Sequence, residues 1–371
     1  IINEAREDIA GILKVSPKTL YFVSCATEAN NMAIRSALGN KRTSCDGVGE
    51  DLKHKNDTEK LKDNIVISPI EHSSIHALSR QLIDEGIEVR ETEVDNKGLV
   101  SITDIIEKVD ENTKIVCVMH VNNEIGTIEP VMEIAEAVKK KNSNTKVLVD
   151  GVQGFGKIPI ELKNSEIDYY TVSGHKIHAP KGIGMIYVKE GTNISPLLYG
   201  GVQEKSKRPG TENVAYIKAL ATALKMMAGN HEKILSLYDR AIERIGRIEG
   251  HLLISPENVY RYEKDTGTDK KIEPLASPYI INVGFSNVKA EVLLHFMEQK
   301  EMYVSTGSAC AKNAPSHVLK AIKVPDKYLD GCIRISFQSQ NSIDEIDPFF
   351  DVLEESINEI RSIVRASKAK R

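Results

Sequence analysis

The chain has 371 residues, of which 41 % are hydrophobic and 27 % charged, with a formal net charge of −4. That balance is ordinary for a soluble globular protein of about two or three domains. It argues against a general nucleic-acid binder, which needs a basic face, and no apolar run approaches the roughly 18 residues of a membrane-spanning helix.

No signal-like segment opens the sequence, and residues 1–6 already read as the middle of a helix. The five cysteines (Cys25, Cys45, Cys117, Cys310 and Cys332) form no CxxC pair and no zinc-like cluster with histidine. An odd, scattered set predicts free thiols in a reducing cytoplasm, with Cys117 as plain core.

Residues 3–13 have helical periodicity. Residues 19–24 read as a buried strand, followed by a tight turn and a helix over 28–38. Residues 39–63 are polar, charged and poor in large apolar side chains, which predicts a mobile surface insertion. Strands are then expected at 64–68, 87–94, 114–121, 146–150, 168–173 and 184–188, with helical patterns at 69–86, 101–110 and 131–141. Strands alternating with helices imply a mostly parallel sheet covered on both faces. A long helical region spans 213–249, and strands at 279–285 and 332–337 with amphipathic helices at 290–300 and 344–364 predict a smaller α+β domain.

In such sheets ligands collect at the carboxyl ends of the strands. The first strand delivers Cys25, Ala26 and Thr27 at the start of a helix, either an anion site or a simple N-cap threonine. Others deliver His72, by default a hydrogen-bonded structural residue, and Asn122-Asn123-Glu124, by default a turn. Asp150 ends an apolar strand, with Gln153 three residues on and Ser173-Gly174-His175-Lys176 at the end of the next strand. A carboxylate there must be paired or exposed. It has no second metal ligand at suitable spacing, which leaves pairing with a cation. An aspartate facing a pyridine nitrogen, a lysine able to hold an aldehyde as a Schiff base, and Thr27, Ser173 and His175 around a phosphate make a plausible pyridoxal phosphate (PLP) site.

The ordered segments "SCATEANNMAI", "IEHSSIHALSRQL", "VMHVNNEIGTIEP", "VDGVQGFGKIPIEL", "SGHKIHAPKGIGMIYV", "RPGTENVA" and "VSTGSACAKNAPSHVLKAI" resemble the cysteine desulfurases of the NifS/IscS type. These belong to the class V branch of fold type I PLP enzymes. The resemblance covers nearly the whole chain and implies an α/β fold. A large domain over 1–231 would hold a mostly parallel seven-stranded sheet, and a small α+β domain over 232–371 would carry a mobile Cys310 loop. It implies Lys176 as the imine lysine, Asp150 at the pyridine nitrogen and Gln153 at the phenolic oxygen. It implies His72 stacked on the ring and relaying protons, with Ala26, Thr27, Ser173 and His175 as the phosphate cradle. Thr211 would reach the phosphate of a neighbouring subunit, hence a homodimer. Asn123 and Arg334 would bind the substrate carboxylate, and Cys310 would attack the sulfur of L-cysteine. The sulfur would then pass as a persulfide to an acceptor protein for iron–sulfur cluster assembly or tRNA thiolation, in the cytoplasm, with no metal, nucleic acid or membrane involved.

Departures from the family pattern include Gly151 in place of an alanine, His178-Ala179 in place of tyrosine-glycine, Val202 in place of glycine and Lys205 in place of arginine. The family's opening alanine-threonine-threonine strand would lie before residue 1. Two other readings remain: a selenocysteine lyase or other class V lyase or transaminase, and an inactive paralogue that only binds a scaffold protein. A thiol in a glycine-containing segment favours desulfuration over transamination. The intact Asp150, Lys176 and Cys310 set opposes an inactive protein.

Overall fold

The computed structural model describes residues 1–39, 63–261, 275–306 and 316–369, the last three by backbone alone. Most of the expected 39–63 insertion and the Cys310 segment lie outside these residues. Helix α1 (Ile2–Leu13) buries Ala5, Ile9, Ala10 and Leu13, the four-residue spacing of one helical face. It is followed by β1 (Leu20–Val23), α2 (Ala26–Ala37), β2 (Asn64–Ile67), α3 (Ser73–Asp84), β3 (Glu88–Glu91), α4 (Ile102–Lys108) and β4 (Thr113–Met119). The chain continues through β5 (Thr127–Ile128), α5 (Val131–Lys141), β6 (Lys146–Asp150), β7 (Tyr169–Ser173) and β8 (Gly184–Val188).

Seven of these strands form one sheet in the order β1-β8-β7-β6-β4-β2-β3. Only β8 runs against its neighbours, pairing antiparallel with both β1 and β7. Alternation along each central strand divides the interior in two. Val66, Val116, Val118, Val147 and Val149 point into one apolar layer with α5. Ile65, Ile67, Ile115, Cys117 and Leu148 point into the other, beneath α2 and α3. Two covered faces explain why these strands are apolar at every position instead of every second one.

The long helical stretch is two helices, α6 (Val214–Met227) and α7 (His231–Arg247). The break falls at Ala228, which is extended, and Gly229, whose φ of 83° is left-handed. Beyond them lie β9 (His251–Leu253), β10 (Asn258–Val259), β11 (Leu275–Ala276), β12 (Ile280–Phe285), α8 (Ala290–Glu298), α9 (His317–Ala321), α10 (Asp326–Leu329), β13 (Cys332–Ser336) and α11 (Ile346–Ala369). An antiparallel sheet in the order β13-β12-β9 packs with α8 and α11. A further small sheet, β10-β11-β5, is absent from the sequence expectation. Its strands are two residues long, too short to carry a periodic signal. It pairs β11 with β5 and so ties the C-terminal strands to the loop after β4.

Two local devices hold the ends of the large sheet. Arg6 donates to Leu20 O (2.7 Å) and forms a two-pronged pair with Glu204, while Glu204 also accepts the Phe22 N–H at 2.9 Å. This buried carboxylate anchors three consecutive left-handed residues, Glu204, Lys205 and Ser206 (φ 45°, 55° and 61°). At the other device, Gly184 opens β8 opposite both Val23 and Ser173. A Cβ there would lie 2.5 Å from Val172 O and 2.8 Å from Cys25 Cα, backbone atoms that cannot swing aside. Among the described residues no helix is long and apolar enough to cross a membrane.

Gly184→Ala is therefore expected to destabilise the protein by about 2–3 kcal/mol through overpacking. Urea unfolding checks this, and an unchanged midpoint would mean that the turn after β1 moves freely.

Candidate active site

Asp150 ends β6 and is only 2 % exposed. Its carboxylate accepts from Asn30 Nδ2 at 3.0 Å and from the Val152 N–H at 3.1 Å. The same Asn30 amide donates to Ser74 Oγ at 3.0 Å, and its oxygen accepts from the Thr171 hydroxyl at 2.7 Å. One side chain of α2 thus joins α3, β6 and β7 around the carboxylate. Burial raises the Asp150 pKa, while the Asn30 and Val152 hydrogen bonds and the nearby His72 pull it back down. Two more acids lie close by. Glu71 is fully buried, and burial, Asp150 and Glu129 hold its pKa well above the usual carboxylate range. Burial pushes Glu129 up to about 8, despite its 3.0 Å hydrogen bond from the Val100 N–H.

On the neighbouring strand, Ser173 Oγ accepts the Ala26 N–H at 2.9 Å. This bond joins the end of β7 to the start of α2. The cap residue of α2 is Cys25, not Thr27, and no side chain caps the helix. Thr27 is exposed on the uncapped first turn, where free N–H groups favour an anion. A 3₁₀ turn over Gly174–Ile177 then presents His175 and Lys176 and closes at His178, with φ 68°. Lys176 is half-buried and makes no hydrogen bond or ion pair among the described residues. Burial, and secondly the charge of Arg334, lower its pKa. Gly151, the departure beside Asp150, has a local cause: a Cβ there would lie 2.0 Å from Cζ of Tyr170, whose ring fills the space.

A cleft of about 830 Å³ opens beside Lys176. Asn123, Gln153, Lys157, His175 and Arg334 line it together with Lys176, and Tyr279, Met302, Tyr303, Phe337 and Phe349 give it an apolar side. Arg334, on β13, donates to Asn123 O at 2.8 Å, so the small antiparallel sheet closes onto the loop after β4. Turn-forming and site-lining roles separate between two adjacent amides. Asn122 Oδ1 accepts from the N–H groups of Glu124 (2.9 Å) and Ile125 (3.0 Å), which shapes the turn and leaves Asn123 at the cleft.

The structure thus brings Asn123, Gln153, His175, Lys176 and Arg334 to one cleft, with Asp150, Ala26 and Ser173 in the adjoining strand ends. His72 caps α3, its Nδ1 accepting the Ser74 N–H at 3.1 Å, so the neutral ring carries its proton on Nε2. Its helix starts at Ser73, later than the sequence pattern implies, because His72 is the cap. Thr211 is exposed and does not line this cleft. Cys310 lies outside the described residues, between Thr306 and Ser316. Sequence reasoning misses Asn30 and Lys157. Both signals are helical spacing: Asn30 is four residues after Ala26, and Lys157 four after Gln153. Among the described residues no group of three or more His, Cys, Asp or Glu is placed to hold a metal ion.

The class-V aminotransferase family profile matches residues 1–349. The chain belongs to this family. Within it the chain stands with the cysteine desulfurases. It is 34 % identical over 370 residues to the cysteine desulfurase IscS of Clostridium botulinum strain Hall, covering 98 % of this chain and 85 % of that one. Among solved structures it resembles a NifS-like protein with TM-score 0.81 and 32 % identity, covering 96 % of this chain and 87 % of the other. It also resembles SspA, solved in complex with cysteine, with TM-score 0.72 and 27 % identity over 92 % of this chain and 87 % of that one. The class-V fold is that of fold type I PLP enzymes, and the donor set fits the cofactor: a buried carboxylate, an unpaired amine of lowered pKa and an uncapped helix start converge at neighbouring strand ends.

The raised carboxyl pKa values have a measurable consequence. Glu129 keeps its proton in the fold up to about pH 8, whereas in the unfolded chain it ionises around 4.5. Folding stability therefore falls as pH rises through this window. Glu129→Gln retains the acceptor for Val100 and is expected to flatten the decline, by up to about 1.4 kcal/mol per pH unit. Denaturant midpoints from about pH 5 to about pH 8 test this, and parallel curves for the two proteins would refute it.

Proposed function

We propose that the PLP-dependent cysteine desulfurase chemistry of this chain runs in the cleft around Lys176, with L-cysteine as substrate. The observation that carries this reading is the placing of Asp150 and Lys176 at the ends of adjacent parallel strands, with Arg334 across the cleft. Asp150, Gln153, Ala26, Thr27, Ser173, His175 and Lys176 would hold the cofactor, which when bound supplies an electron sink for the pair left by removal of the substrate's α-proton.

The remaining roles belong to the protein's own groups. Asp150 would offer a carboxylate to a protonated ring nitrogen, and Asn30 keeps that carboxylate oriented. Lys176 combines partial burial with a lowered pKa, so more of it is the neutral amine needed to bond an aldehyde and move the α-proton. His72 would stack on the cofactor, and because its Nδ1 accepts from Ser74, its Nε2 proton would be available for relay. Arg334 and Asn123 hold the substrate carboxylate. The Cys310 thiolate attacks the substrate sulfur. A sulfur–sulfur bond forms, the substrate's carbon–sulfur bond breaks, and the carbon fragment takes that electron pair and a proton to leave as L-alanine.

The division of labour runs between a cofactor-holding part over 1–231 and a smaller part over 232–371 that carries Arg334 and Cys310. Exposure of Thr211, Tyr199, Val202 and Val214 along one stretch supports a homodimer in which Thr211 serves the partner's cofactor. The Cys310 persulfide is passed to an acceptor protein of iron–sulfur assembly or tRNA thiolation in the cytoplasm.

Lys176→Ala is expected to lose the visible band of the bound cofactor and at least about 10³-fold of activity. Cys310→Ala should keep that band and lose release of sulfide from L-cysteine. Spectra alongside sulfide and alanine assays decide the matter. A wild-type protein that binds the cofactor yet leaves L-cysteine intact would overturn the reading.

A further inference from the structure

Behind Gln153 lies a second lysine that the chemistry above does not use. Lys157 is 9 % exposed, lines the cleft, and places Nζ 3.3 Å from Gln153 Oε1 and 5.4 Å from the centre of the Tyr279 ring. The two residues are neighbours because Gly151–Ile158 folds as consecutive tight turns, with Phe155 N–H donating to Gly151 O (2.7 Å) and Ile158 N–H to Gly154 O (2.8 Å). Residues four apart then share a face. The turn needs glycine at 154, where a Cβ would sit 2.1 Å from Nδ1 of His120.

Up to about pH 7 Lys157 is an ammonium group, which donates and cannot accept. Beside Gln153 it can satisfy only the amide oxygen, which turns the NH₂ end away from Lys157. We propose that Lys157 is a positioning residue that fixes the Gln153 amide so that its NH₂ donates to the phenolic oxygen of the bound cofactor. This rests on the role given to Gln153 in the reading above. It also supplies what that role lacks. A free amide rotates between a donor and an acceptor face, and only the donor face stabilises a phenolate.

The surroundings keep the pair in balance. Burial, and then the charges of Lys176 and Arg334, bring Lys157 down to about 7. The charges that act on its pKa are those of Lys176 and Arg334, and Lys157 in turn helps to lower His175 and His178. Its positive charge also opposes protonation of neighbouring nitrogen. Loss of Lys157 therefore acts in one direction by two routes, through the amide and through the charge, and the test must separate them.

The test titrates the visible band of the bound cofactor in the holoenzyme against pH. Lys157→Met keeps the length and removes the donor, and its folding is verified by thermal melting of the cofactor-free protein. The expected result is a rise of the midpoint by roughly 0.4 to 1 pH unit, the equivalent of one ordinary hydrogen bond. In a Gln153→Leu background the same substitution should move the midpoint by clearly less, because the amide route is already gone. Lys157→Gln keeps an N–H donor without the charge and should fall between wild type and Lys157→Met. If Lys157→Met does not fold, Lys157→Gln in the two backgrounds gives the same comparison. Equal shifts in both backgrounds, or no shift, would overturn the positioning role while leaving the site intact. A wild-type protein that takes up no cofactor would overturn the site itself, and this inference with it.

Discussion

A carboxylate buried at the end of a strand is the constraint around which this molecule is arranged. Asp150 can stay inside only if its lone pairs are met, and Asn30 meets them while bonding α3 and β7 with the rest of its amide. Ser173 then bonds the start of α2, so the two helix–strand junctions that border the cleft are locked by side chains as well as by packing. The surplus of neighbouring acid, Glu71 and Glu129, is tolerated because burial keeps those groups protonated. Burial raises Asp150 as well, and a cationic ring nitrogen would bring it back down.

The cleft has the opposite character. Lys157, Lys176 and Arg334 converge there; burial lowers the pKa of each, and the Arg334 charge lowers the other two further. Such a set is unfavourable until an anion enters. A phosphorylated cofactor and a substrate carboxylate both relieve it, so the charge pattern that weakens the empty fold favours loading. The C-terminal half gives the cleft an apolar wall, which strengthens these fields.

Much of this was legible in the sequence. Strand-end residues such as Asp150 and Lys176 stand out because apolar runs stop at them, and the central strands read as strands because both faces are covered. What escaped has physical reasons. Asn30 and Lys157 act from within a helix and a turn, where a polar residue facing inward looks the same as one facing water. The β10-β11-β5 sheet depends on pairing across about 150 residues, which no local pattern records. Gly151 read as a departure from the family, and its reason is the ring of Tyr170, 19 residues away.

The pair between Arg6 and Glu204 carries an implication for descent. Glu204 sits in the fold only because Arg6 and the Phe22 N–H meet it, and it in turn secures three left-handed residues in a row. Losing either partner alone strands a buried charge, at a cost of about 3–5 kcal/mol. Lineages can then cross from this pair to an apolar one only by changing both positions nearly at once. The first helix and the loop before Thr211 should therefore have been inherited as a unit, even where the surface between them has drifted.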